Sequence, residues 1–97
     1  MDELLDPVTW HDRSGTVTTG GVAQVAAPAW SQRRGFSLQN LSAGDLWLSA
    51  VGTAVAGRPS LLIPAGALYE SPTYGTPSSA LSIFGATTGQ AFSLIEY

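Results

Sequence analysis

The stretch "GFSLQNLSAGDLWLSAVG", residues 35–52, decides the fold class. An extended chain alternates its side chains between two faces, so residues two apart share a face. Phe36, Leu38 and Asn40 fall on one side of the first half, with Ser37, Gln39 and Leu41 on the other. The second half places Leu46, Leu48 and Ala50 opposite Trp47, Ser49 and Val51. Between them lies "SAG" (42–44), where glycine permits positive φ and serine bonds nearby backbone. This reads as two strands with a hairpin connection, which predicts that the two pair antiparallel.

The same grammar extends outward from there. "GTVTT" (15–19), "VAQVAA" (22–27), "SLLI" (60–63), "GALYES" (66–71), "ALSIFG" (80–85) and "QAFSLIEY" (90–97) read as short strands. They are separated by glycine- and proline-containing turns, and "ATTG" (86–89) is a second hairpin signal. Eleven glycines and six prolines suit many turns and no long helix. The expectation is an all-β domain over residues 15–97, an antiparallel β-sandwich or small jelly-roll-like barrel. Its aromatic-rich last strand would be sealed into a sheet, because free termini fray. Residues 1–14, "MDELLDPVTWHDRS", differ: they hold four of the seven acids, and Pro7 disfavours helix at Asp6. They read as an extended N-terminal arm.

Composition excludes several function classes. Charged residues are 11% of the chain, against about 25% in an average soluble domain. There is no lysine; the cations are Arg13, Arg33, Arg34 and Arg58. A surface so poor in charge suits contact with other protein. A net charge of −3 and one adjacent arginine pair lack the cationic face that nucleic acid requires. Zero cysteines remove disulfides, thiolate nucleophiles and cysteine-ligated zinc. No stretch approaches the ~18 apolar residues of a membrane span, and the acidic start is unlike a secretory leader. The expected setting is a cytoplasm, with no membrane partner.

Candidate chemistry is sparse. His11, the one histidine, sits between Trp10 and Asp12 on the arm, and no G-x-S-x-G elbow accompanies it. "GTAVAGRPS" (52–60) spaces its glycines like a phosphate loop but has Arg58 and Pro59 where that loop needs lysine and a hydroxyl. "NLS" (40–42) fits a glycosylation pattern without a leader to make it relevant. One histidine and scattered acids offer no metal site, and no cofactor is expected. A hydrolytic carboxylate pair among Asp45, Glu70 and Glu96 is the weakest reading. The tryptophans carry more. Trp47 lies in a strand on the face opposite Leu46 and Leu48; one of these two faces must meet a second layer, and core packing and an outward position are evenly balanced for it. Trp10 and Trp30 lie outside strands, next to His11 and Arg13 and to Arg33 and Arg34, and tryptophan and arginine dominate protein contacts. Trp10, His11, Arg13, Trp30, Arg33 and Arg34 are therefore the candidate protein-interface residues.

Over residues 33–97, "RRGFSLQNLS", "DLWLSAVGTAV", "SLLIPAGA" and "ALSIFGATTGQAFSLIEY" resemble small β-sandwich virion proteins of tailed bacteriophages. The matching residues are Arg34, Leu38, Gln39, Asn40, Leu46, Leu48, Leu62, Pro64, Gly66, Ile83 and Glu96. Ala65 departs from the group by separating Pro64 from Gly66. The resemblance implies a structural role on the virion. The first expectation is a capsid decoration or cement protein, a homotrimer that binds the major capsid protein of the assembled head. The alternative is a tail or head-fibre accessory subunit that binds a host glycan through tryptophan or through Tyr69 and Tyr74.

Overall fold

The structure, a computed structural model, describes residues 9–72 and 74–97. The described residues form nine strands in chain order: β1 (His11–Asp12), β2 (Gly15–Thr16), β3 (Gln24–Ala27), β4 (Phe36–Asn40), β5 (Leu46–Ser49), β6 (Leu61–Ile63), β7 (Leu68–Glu70), β8 (Leu81–Gly85) and β9 (Ala91–Glu96). No helix occurs among the described residues. One sheet has the order β1-β9-β4-β7, with β2 also on β9; the other has the order β3-β8-β5-β6. All pairings are antiparallel. The chain thus forms the expected antiparallel β-sandwich, and its strand order is that of a jelly roll. Strands β5 and β6 pair innermost, then β4 with β7, β3 with β8, and β1 and β2 with β9 outermost. The chain is one long hairpin rolled up.

Period two puts one row of each strand in the core; on β5 that row is Leu46 and Leu48, with Trp47 on the outward, partly buried row. Phe36, Leu38, Phe92 and Leu94 from the first sheet meet Leu46, Leu48, Ile63, Leu81 and Ile83 from the second, all buried. Each such side chain contributes about 1.5–3 kcal/mol relative to exposure.

The two expected hairpins are corrected. β4 and β5 lie in different sheets, as do β8 and β9. The apolar faces of β4 and β5 look at each other across the core, so "SAG" turns a corner between layers. Asn40 decides this. It sits on the inward row of β4, is wholly buried, and has all four of its side-chain bonding positions filled. Its Nδ2 donates to the carbonyls of Gly44 (2.7 Å) and Ile63 (2.8 Å), and its Oδ1 accepts from the N–H and hydroxyl of Ser42. Gln90 ties in the corner before β9, donating to Ser42 Oγ and the Asp45 carbonyl (3.0 Å each) and accepting from Thr87 N–H. The corner from β6 to β7 is a turn in which Ala67 N–H donates to the Pro64 carbonyl (2.9 Å). Gly66 has φ +78° there, which settles the geometry that Ala65 left open: glycine occupies the third turn position, where φ must be positive. Its N–H donates to the Asn40 carbonyl. One end of the sandwich is therefore knotted by Asn40 and Gln90.

The expected arm divides. Residues 1–8 lie outside the described residues. Residues 11–12 pair with β9, His11 opposite Glu96 and Asp12 opposite Ile95, so the first sheet takes in part of the segment that the sequence reading gave to the arm.

Candidate functional site

The other end of the sandwich gathers residues far apart in sequence around Glu96. Phe92, Leu94 and Glu96 occupy the inward row of β9, so the carboxylate ends the core and is wholly buried. A buried carboxylate requires charged partners, and two arginines supply them. Arg33 Nε donates to Oε1 at 2.8 Å and Arg13 Nε to Oε2 at 2.7 Å. The Arg33 side chain is fully buried, whereas that of Arg13 is 37% exposed. Arg33 also donates through Nη1 to the carbonyls of Pro77 (2.7 Å) and Ser79 (2.8 Å), and through Nη2 to that of Pro28 (2.8 Å). It pins the loops before β4 and before β8 to the last strand.

Around this node lie the aromatic candidates. Trp10 stacks on Tyr97, with ring centroids 5.5 Å apart and planes 26° from parallel. His11 sets its ring edge-on to Trp30 at 4.8 Å. Trp30 is held by its N–H donating to the Ser78 carbonyl, and a turn brings Arg33 N–H to the Trp30 carbonyl. Tyr97 is placed by backbone bonds with Gly35 in both directions and by Arg34 N–H. Glycine at 35 leaves room for this ring, because a Cβ there would stand 2.8 Å from it and push it aside. Beside Tyr97 runs a groove of about 550 Å³ whose lining includes Arg34, Ser71, Thr76 and Tyr97. The nearby Ser14 hydroxyl, and the Ser14 backbone N–H that donates to Asp12 Oδ1 at 2.9 Å, hold the Asp12 carboxyl below its usual range.

Five of the six predicted interface residues thus meet at one end, and Arg34 lies on its rim. Trp10 is 68% exposed, Arg34 is exposed, and His11, Arg13 and Trp30 are partly exposed. Arg33 is not available as a contact residue: its side chain has no solvent access, and four of its five guanidinium N–H groups bond to Glu96 and three carbonyls. Sequence reasoning missed Glu96 as the organiser and Tyr97 as the aromatic partner of Trp10. The signal for Glu96 was its position in register with Phe92 and Leu94, since an acid on an apolar row must be paired.

Among the described residues, Asp45, Glu70 and Glu96 lie apart from one another. Glu70 lies opposite Ser37, which lies opposite Ile95, in an outward row, whereas Glu96 faces Phe36 in an inward one. Asp45 belongs to the Asn40 end. His11 contacts Trp30, and no cluster of three histidine or acidic side chains able to hold a metal occurs among the described residues. Tyr69 packs on Phe36 at 5.8 Å, partly buried against the core, while Tyr74 is 87% exposed. Neither family models nor curated proteins nor solved structures yield a match to this chain.

Proposed function

We propose that this protein is a structural accessory subunit of a tailed-phage particle, a decoration protein that binds the assembled head and stabilises contacts between major capsid subunits. The observation that supports this reading is the convergence of Trp10, Trp30, Tyr97 and Arg34 at the end of the sandwich where residues 9–13 join it. Exposed tryptophan beside arginine is the composition of a binding hot spot. The Glu96 node fixes that surface on a rigid platform, so little ordering cost opposes binding. A subunit that binds the assembled shell and not its free parts raises shell stability by mass action. Many copies on one shell multiply a modest single-site affinity.

Incubation with expanded, empty phage heads followed by sedimentation tests the reading. Wild-type protein should travel with the heads, and Trp10→Ala combined with Trp30→Ala should remain in the supernatant while still folded. Wild-type protein that stays behind at every concentration would sink the proposal. The second reading, glycan binding by a tail or fibre subunit, draws on Tyr74 and the Arg34 groove. It requires a glycan-array signal, whereas a decoration protein should give none.

A further inference from the structure

We propose that residues 50–57 form a strap that opens as a unit from the outward face of the second sheet while the sandwich stays folded. Ser49 and Ser82 sit opposite each other on β5 and β8, in the row that points away from the core, yet both are buried. What covers them is the chain itself. Ala54 N–H donates to Ser82 Oγ and Val55 N–H to Ser60 Oγ, each at 2.9 Å. At the start of the strap, Ser79 Oγ donates to the Ala50 carbonyl (2.6 Å) and Val51 N–H donates to Ser49 Oγ (3.2 Å). Four serine hydroxyls, those of Ser49, Ser60, Ser79 and Ser82, therefore clasp the segment.

The clasp stands in for a backbone ladder. Among the described residues, positions 50–56 make no backbone-to-backbone hydrogen bond. Hydrophobic burial adds little. Of residues 51–57 only Ala54 is buried, and it offers a single methyl group, whereas Val51 is 78% exposed. The strands beneath differ on both counts: β5 is laddered to β6 on one side and β8 on the other, with Leu46, Leu48 and Ile83 in the core. A segment with few backbone bonds and few buried apolar contacts opens at a lower free energy than the body it lies on. Glycines supply the hinges. Gly52 has φ +153° and Gly57 φ +113°, and a Cβ at either would meet nothing within 4 Å among the described residues. Backbone conformation, not space, therefore selects glycine at both positions. Beside the strap lies a cleft of about 470 Å³ lined by Val25, Val51, Thr53, Ser79 and Ser82. Opening extends that cleft over the row of Ser49 and Ser82, a surface presented only in the open state.

Native-state hydrogen exchange in low urea tests the strap. The Ala54 and Val55 amides should be protected, yet exchange at least about 100-fold faster than the ladder amides of β8. Their urea dependence should be much shallower, because opening exposes less surface than unfolding. Ser82→Ala removes the acceptor of the Ala54 N–H and should raise the Ala54 rate about tenfold with the shallow urea slope retained. Gly57→Ala should also raise it, by straining the closed backbone. Ser49→Cys places the chain's one thiol under the strap. It should react with dithionitrobenzoate many times faster than the same variant unfolds in a urea jump. Strap amides that share the rate and urea slope of the β8 amides overturn the proposal, as does a thiol that reacts only as fast as the domain unfolds. Amides at 54 and 55 that exchange like an unstructured chain overturn it too, since no closed state would then exist.

Discussion

Glu96→Gln tests the central electrostatic claim. The substitution keeps the side chain's shape and removes its charge, leaving the Arg33 cation without a counter-ion at a position with no solvent access. Its amide also presents N–H groups toward one of the two arginines that donate to the carboxylate now. Removing one partner of a buried pair costs about 3–5 kcal/mol because the remaining charge is uncompensated. Arg33 keeps the carbonyls of Pro28, Pro77 and Ser79, which solvate the cation in part and place the loss in the lower half of that range. The half-exposed Arg13 arm adds no more than about 1 kcal/mol. A domain of this size holds roughly 5–15 kcal/mol in total, so a loss of about 3–4 kcal/mol removes a large share. The expected fall in Tm is roughly 12–30 °C. Thermal unfolding followed by circular dichroism measures the Tm and urea unfolding the free energy, and high salt should change the result little because buried pairs are weakly screened. Arg33→Met with Glu96→Leu should recover most of the loss, since apolar replacement of a buried pair is often neutral or better. A Glu96→Gln loss below about 1 kcal/mol with an unchanged m-value would refute the claim that the charge pair is buried and mutually dependent.

Asn40→Ala should cost about 1–3 kcal/mol by removing the side-chain donor to the Ile63 carbonyl and leaving the Gly44 carbonyl only the Ser42 hydroxyl, read from the shift in urea midpoint. Gly35→Ala should displace Tyr97 and release Trp10 from it, visible as a change in tryptophan emission and near-ultraviolet dichroism. Trp10→Ala should lower stability by no more than about 1 kcal/mol, the scale of an aromatic pair, yet reduce head binding in the sedimentation assay. Asp12 has a depressed folded-state pKa, so its contribution is present above the unfolded value of about 3.9 and is lost as pH falls through the folded one. The melting difference between wild type and Asp12→Asn should accordingly be present near neutrality and vanish in strong acid.

The local pattern was legible because period two needs only neighbours: Phe36 with Leu38, and Leu46 with Leu48, share a face as read, and packing of the second layer turns that face inward. Pairing was not legible, because "SAG" suits both a hairpin turn and a corner between layers. What selects the corner is Asn40 bonding to Ile63 and Gln90 bonding to Ser42, contacts across 23 and 48 positions. The candidate site was legible in composition and illegible in geometry. Arg33 and Arg34 look alike in a loop, and only a carboxylate 63 residues away draws one inside. Trp10 drew notice as an aromatic outside a strand, but its partner Tyr97 looked like the end of a strand.

The rolled-hairpin order explains why the two ends of this sandwich differ. Because β5 and β6 pair innermost and β1 and β9 outermost, the first and last described strands lie side by side. One end therefore receives the corners after β4, β6 and β8, and closes on the neutral amides Asn40 and Gln90. The other receives the long loops before β4, β6 and β8 together with residues 9–13 and Tyr97, and closes on the charged node of Arg13, Arg33 and Glu96. Neutral amides complete short turns in which every bond is local to the corners. Long loops present carbonyls at varied heights, and the reach and five donors of arginine suit them. With Arg33 and Glu96 paired internally, that end displays aromatic rings and the exposed Arg34, with Arg58 in the loop before β6, to whatever binds there. A rigid, weakly charged platform of this kind is suited to contact with another protein.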